Sequence, residues 1–280
     1  MKRKILKLTA LIIISILINS CSSMYIPSIT NIPLLESKGE KQIELTASTT
    51  SLHLSGDYAF SKKYAIMVNG SLSYGNMTNY YDIFCEKKDR NGYWDEIGNG
   101  EFSHRYGELG IGRYNKLPNK LKLEVYIGFG YGQADDKRSF RDTGVVKYVL
   151  KYNASYYLGF VQLNFGKSYR RFDWGWALRL GYSCFDYAYN DVNRDYRGHY
   201  DLVFQKIKFN LYHYENMVFL RVGGDKLKGV VRIGLSNALQ KQSFKDIDLY
   251  KGILRGNVNT TNILLSVGLN YKFGMKKWKE

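Results

Sequence analysis

After about residue 40, apolar side chains alternate with small or polar ones in one run after another, and no helical stripe of any length occurs. Alternation of this kind places successive side chains on opposite faces of an extended chain, so the sequence describes strands with two unlike faces. The clearest run sets Leu121, Leu123, Val125, Ile127, Phe129 and Tyr131 against Lys122, Glu124, Tyr126, Gly128, Gly130 and Gly132. A second sets Trp174, Trp176, Leu178, Leu180 and Tyr182 against Gly175, Ala177, Arg179, Gly181 and Ser183. A third sets Leu265, Val267, Leu269, Tyr271 and Phe273 against Ser266, Gly268, Asn270 and Lys272. The alternation predicts ten strands, near 40–49, 51–60, 64–75, 102–115, 120–133, 152–165, 173–188, 207–223, 228–238 and 260–273. In the eighth, Ile207, Phe209 and Leu211 have the opposite parity to Val218, Leu220 and Val222, which predicts a bulge or turn between them.

Connections at 61–63, 117–119, 166–172 and 224–228 are short, whereas 76–101, 134–151, 189–206 and 239–259 are long and polar. Short turns on one rim and long loops on the other, with alternating strands between, describe a closed antiparallel up-and-down barrel. Which face is buried follows from what the polar face carries. It is rich in glycine (Gly110, Gly112, Gly128, Gly130, Gly132, Gly234, Gly268), which weakens a strand facing water but fits a crowded interior. The apolar face carries Leu, Val and Ile in mid-strand and Tyr, Trp and Phe nearer the ends, and the chain holds 25 Tyr and 14 Phe. That is a lipid-facing band between aromatic girdles. The expectation is an all-β transmembrane barrel with short periplasmic turns and long extracellular loops. The competing arrangement is a water-soluble barrel of lipocalin type, apolar side inward.

The outside-apolar orientation turns Glu44, Asp57, Glu108 and Glu124 into the lumen with Lys122, Arg179, Arg221, Arg232 and Lys272. Ten strands enclose a narrow space, so these groups are expected to pair into a network that plugs it. The alternative is a small-solute channel, with the basic excess favouring anions.

The N terminus is an address. Lys2, Arg3, Lys4 and Lys7 precede an apolar run from Leu8 to Ile18, too short to span a bilayer as a helix and patterned as an export signal. Removing those four from the 41 basic residues leaves a net charge of +12 against 25 acidic ones. In an exported chain such an excess suits lipopolysaccharide phosphates or anionic solutes rather than nucleic acid. The sequence Ile18-Asn19-Ser20-Cys21-Ser22 resembles the lipobox of bacterial lipoproteins. The resemblance implies acylation of Cys21, and Ser22 after it implies release to the outer membrane. Four segments follow: a signal peptide (1–20), an acylated lead (21–38) set against the periplasmic leaflet, a barrel (39–274) and a basic periplasmic tail (275–280).

Ser266-x-Gly268-x-x-Tyr271-x-Phe273 resembles the C-terminal signal read by the barrel-assembly machinery. Taken with the lipobox and the strands, the whole mature chain resembles lipidated outer-membrane β-barrel proteins of Gram-negative bacteria. That resemblance implies outer-membrane lipid, lipopolysaccharide, and the assembly and lipoprotein-processing machineries as partners, and an outer-membrane location with loops outside. It specifies no reaction.

Candidate chemistry is sparse. The four histidines, His53, His104, His199 and His213, show no metal-ligand spacing, so no metal, cofactor or catalytic set is expected. His53-Leu54-Ser55 has the spacing of lipid A deacylase barrels, but both polar side chains would face the lumen. Ten strands is the omptin protease count, and His104, Asp186, Asp191, Asp195, His199 and Asp201 occupy rim positions; none matches the omptin motifs. Cys85 and Cys184 are expected as free thiols, since a disulfide needs Cα atoms within about 7 Å. Tyr80, Tyr81, Tyr93, Trp94, Tyr187, Tyr189, Tyr196 and Tyr200, set among charged residues in the expected loops, would suit an extracellular binding face for a ligand the sequence does not name. A structural or surface-interaction barrel is therefore the leading expectation, a channel second, and an omptin-like or lipid-modifying enzyme a remote third.

Overall fold

The structure, a computed structural model, describes residues 29–48, 51–76, 97–142, 145–194, 200–239, 242–243, 257–258 and 262–274. Ten antiparallel strands close into one barrel: β1 (Lys41–Ala47), β2 (Ser51–Tyr58), β3 (Tyr64–Asn76), β4 (Ile97–Lys116), β5 (Leu121–Asp142), β6 (Val145–Ser168), β7 (Phe172–Arg194), β8 (Tyr200–Gly223), β9 (Leu227–Ala238) and β12 (Asn262–Phe273). The two-residue strands β10 (Gln242–Ser243) and β11 (Asn257–Val258) pair only with each other. Closure is made by β1 on β12, in register from Lys41 opposite Phe273 to Ala47 opposite Val267. The lower rim carries tight turns, closed by bonds such as Tyr169 N–H to Phe172 O (2.8 Å) and Gly224 N–H to Leu227 O (2.8 Å).

The faces sort as the alternation requires. Ile127 (61% exposed) and Leu269 (56%) point out, as do Val125, Leu180, Val231 and Val267, whereas Arg179 is fully buried. Gly130 is buried too, so the apolar-inward alternative is overturned. On β7 the outward aromatics Phe172 and Tyr182 bracket the aliphatic stretch. Ten residues of tilted strand cover about 25 Å of height, the thickness of a lipid-facing band.

Three expectations are corrected. Segments 134–151 and 189–206 are for the most part not loops but strand. The β5–β6 ladder runs to Asp142 opposite Val145, with one irregularity at Phe140–Arg141, and the β7–β8 ladder runs to Arg194 opposite Tyr200. Above the apolar band both faces can meet water, so the hydrogen-bonded ladder continues while the apolar alternation that marks it fades. The wall is thus uneven: β4–β8 have 20 to 24 residues, β1 and β2 only 7 and 8. Nor is there a bulge in β8, whose register with β7 and β9 is unbroken. Phe209 and Leu211 are inward-facing apolar residues, and the lumen itself changes from polar below to aromatic above. Finally, the described part of the N-terminal lead does not lie along a leaflet. Residues 29–35 are buried within the barrel.

Lumen-facing glycines make room for rings. A Cβ at Gly130 would lie 2.5 Å from the Tyr106 hydroxyl and 2.9 Å from its ring, and one at Gly175 would lie 2.5 Å from the Phe219 ring. Outward Gly107 has nothing within 4 Å. Gly130→Val should therefore lower unfolding stability in detergent by about 1–3 kcal/mol, as overpacking does. Gly107→Val should leave the urea midpoint, followed by tryptophan fluorescence, nearly unchanged; equal effects would contradict this packing.

Candidate functional site, a charged lumen

Strand parity alone carries each charged side chain inward: even positions on β1, β4, β5, β6, β9 and β12, odd positions on β2, β3, β7 and β8. All nine lumen charges named from the sequence are buried there. Together with Glu40, Asp173, Glu215 and Lys228, the described residues place seven buried carboxylates (Glu40, Glu44, Asp57, Glu108, Glu124, Asp173, Glu215) with six buried cations (Lys122, Arg179, Arg221, Lys228, Arg232, Lys272). Counted over the described residues, the lumen is close to neutral and holds no basic excess of the kind an anion-selective pore would use.

The groups form tiers. Lowest, Lys228 Nζ donates to Asp173 at 2.7 Å, and Lys272 lies 3.8 Å from Glu40 and 3.9 Å from Asp173. Above them, Glu44 accepts from Arg221 (2.8 Å) and from Asn270 (3.0 Å), and is ion-paired with Arg232. Higher still, Arg179 makes a two-point contact with Glu108 at 2.8 and 2.9 Å, and Glu215 stands 3.8 Å from its Nε. Each of two guanidinium groups also lies over a ring, Arg179 over Phe160 and Arg221 over Phe219, both at 4.4 Å. Removed from water, such charges are tolerable only when paired and hydrogen-bonded.

The strands do not complete this network alone. Residues 29–36 thread the lumen and supply backbone partners. Arg221 donates to Ile32 O (2.7 Å), Lys122 to Leu34 O (2.7 Å) and Gln162 to Asn31 O (2.6 Å). In the other sense, Leu35 N–H donates to Glu124 (2.7 Å), Asn31 Nδ2 to Asp57 (2.8 Å) and Thr30 Oγ1 to Glu215 (3.1 Å). Ile29, Ile32 and Leu34 pack with Ala177, Met217, Phe219 and Leu264. Leu34 holds φ = 55°, in the left-handed region that a leucine occupies only where its surroundings hold it. At the lower mouth, burial would raise the Glu36 carboxyl, but Lys122 at 2.8 Å, with Lys272 and Lys116 beyond, holds it below its ordinary value of 4.5.

The upper lumen is aromatic. Tyr156 stacks on Phe185 (4.9 Å), Phe185 on Phe209 (4.8 Å), and the Tyr156 hydroxyl meets His104 Nε2 at 2.8 Å. His104 is therefore inside the barrel and not at the rim. Asp186, beside Lys206 and Lys208, faces outward across the same wall, so the two cannot share one site. The side chains of Asp191 and Asp201, and residues 195 and 199, lie outside the described ones, as do Cys21, Cys85, the 77–96 loop and the 275–280 tail. His53 and Ser55 both face the lumen, with Leu54 outward. Cys184 is a free, outward-facing thiol. In β12, Ser266 is buried, Gly268 shares its inward parity, and Tyr271 and Phe273 stand outward as an edge-on pair at 4.4 Å.

Asp173, Lys228 and Glu215 were missed in the sequence, although parity places each on the polar face; for Glu215 the assumed bulge hid it. The lead carried no such signal, because an irregular segment has no period.

Arg179→Met should strand Glu108 and cost about 3–5 kcal/mol. Arg179→Met with Glu108→Gln should recover part of that loss in urea unfolding, and additivity of the two changes would contradict direct pairing. Because the folded carboxyl of Glu36 is the more acidic, its contribution is present above the unfolded value and lost as pH falls through the folded one. Proteolytic release of the lead should thus rise on acidification below about pH 4, given an unfolded Glu near 4.3. Glu36→Gln should flatten that response.

No family model matches this sequence, and no curated protein matches it. Solved structures do resemble the fold. The outer-membrane protease OmpT of Escherichia coli aligns over 84% of this chain and 93% of its own, with 12% identity and a TM-score of 0.51. The translocator domain of autotransporter NalP from Neisseria meningitidis aligns over 83% and 86%, with 12% identity and a TM-score of 0.43. A major outer membrane protein of Thermus thermophilus aligns over 84% and 98%, with 10% identity and a TM-score of 0.42. At these identities the likeness to OmpT is one of fold: a closed ten-stranded antiparallel β-barrel.

Proposed function

We propose that this chain is an outer-membrane β-barrel that its own N-terminal lead closes, with a structural or surface-interaction role rather than a transport or catalytic one. The observation that carries the reading is the lead itself. Residues 29–36 occupy the lumen and satisfy Arg221, Lys122, Gln162 and Glu124, which would otherwise face an open pore. Membrane placement is supported by the exposed belt of Leu, Ile and Val around the wall, because soluble monomers rarely expose contiguous apolar patches beyond a few hundred Å². The reading puts the tight turns in the periplasm and the tall β4–β8 wall outside, with assembly and lipoprotein-processing machineries as biogenesis partners.

Acylation of Cys21 belongs to the same reading. Seven residues separate it from Ile29, an extended reach of about 28 Å over the intervening Cα steps, enough to bring the modified sulfur to a rim of the barrel. Intact mass of the purified protein should show the acyl increment and Cys21→Ser should lack it; an unmodified wild type removes this element alone.

In planar bilayers the intact protein should give no stable conductance, whereas deletion of residues 29–36 should open discrete channels. A stable ion-selective current from the intact protein would favour the channel reading and overturn this one. Folded barrel embedded in lipid should also run at a different mobility in unheated and boiled detergent gels.

A further inference from the structure

The exposed charges divide by rim. Every lower turn contributes cations: Lys62 and Lys63 between β2 and β3, Lys116 and Lys120 around the β4–β5 turn, Arg170 and Arg171 between β6 and β7, and Lys226 between β8 and β9. Among the described residues of these turns the exposed acid is Asp225, already 3.2 Å from Arg170. The upper wall is mixed, with Glu101, Asp135 and Asp186 set among Lys137, Lys151 and Lys206. Since the lumen is close to neutral, part of the positive excess sits on this lower edge.

Its depth is specific. The cations lie just below the outward aromatics Tyr58, Phe60, Tyr64, Trp174 and Tyr271 that end the apolar belt. Lys41 Nζ sits over the Tyr58 ring at 5.4 Å and Lys167 Nζ over Tyr169 at 5.0 Å, so these ammonium groups lie against aromatic rings at this level. Beside a lipid-facing belt that is the level of the headgroup phosphates.

We infer that the lower rim is a binding collar for anionic phospholipid headgroups of the leaflet it meets. The inference rests on the membrane-barrel reading above. A soluble polyanion fits less well, because the cations ring the outer edge of the wall rather than converge on a mouth. Lipopolysaccharide is disfavoured because, in that reading, the collar lies on the periplasmic side. The collar sets how deep the barrel rides, and its attraction falls with salt.

The test uses the full chain folded in detergent, exchanged into phosphatidylcholine, into an equimolar mixture of phosphatidylcholine and phosphatidylglycerol, or into micelles doped with lipopolysaccharide, with retained lipid read by native mass spectrometry. Phosphatidylglycerol should be retained over phosphatidylcholine by at least about tenfold, less at high salt. Combined Lys62→Glu, Lys63→Glu, Arg171→Glu and Lys226→Glu should abolish the preference, and Lys137→Glu with Lys151→Glu on the upper wall should spare it. If the reversed set fails to fold, the same four positions changed to Gln should reduce the preference. Equal retention of both phospholipids, a preference surviving the lower-rim changes, or a lower-rim preference for lipopolysaccharide would overturn the collar. Failure to enter any lipid or to shift mobility on heating would instead bring down the barrel reading itself.

Discussion

Pairing of charge inside a narrow, apolar-walled cylinder is the constraint on which the rest of this structure depends. The wall turns Leu, Ile and Val outward, so its polar residues have nowhere to go but in. Thirteen buried ionic side chains then share a space with little room for solvent, and each must find a partner. Glu44 shows how tightly this is done: two arginines and an asparagine converge on one carboxylate from β8, β9 and β12. Such contacts tie together strands distant in sequence and make closure of the β1–β12 seam part of the same network.

The N-terminal lead completes what the strands leave open. Its carbonyls accept from Arg221, Lys122 and Gln162, and its Leu35 amide satisfies Glu124, so polymer backbone takes the place that water would fill in an open pore. Its apolar side chains find matching surfaces where Gly166, Ala177 and Phe219 line the wall. Higher up, stacked rings of Tyr156, Phe185 and Phe209 take over, and small inward residues opposite them give the space those rings need.

The legibility of these features differs for physical reasons. The run from Leu121 to Gly132 declared its two faces because burial on one side and lipid on the other select opposite residue types at alternate positions. The same parity located Arg179, Glu108 and Arg221. It faltered at Phe209 and Leu211, where an apolar residue faces inward, and it faded at 134–151 and 189–206, where the wall rises above the apolar belt. Hydrogen bonds hold strands there without any hydrophobic signature.

By itself, the amino-acid order determined that strands would form, how many would close, and which face of each would carry charge, because a two-residue period is a local property of extended backbone. Only the tertiary structure decided that Glu108 meets Arg179, that Glu44 gathers Arg221 and Arg232, and that residues 29–36 run inside the barrel. Those partners lie far apart along the chain, and the segment that joins them has no regular structure to announce it. They become neighbours only when the cylinder closes and the space inside must be filled.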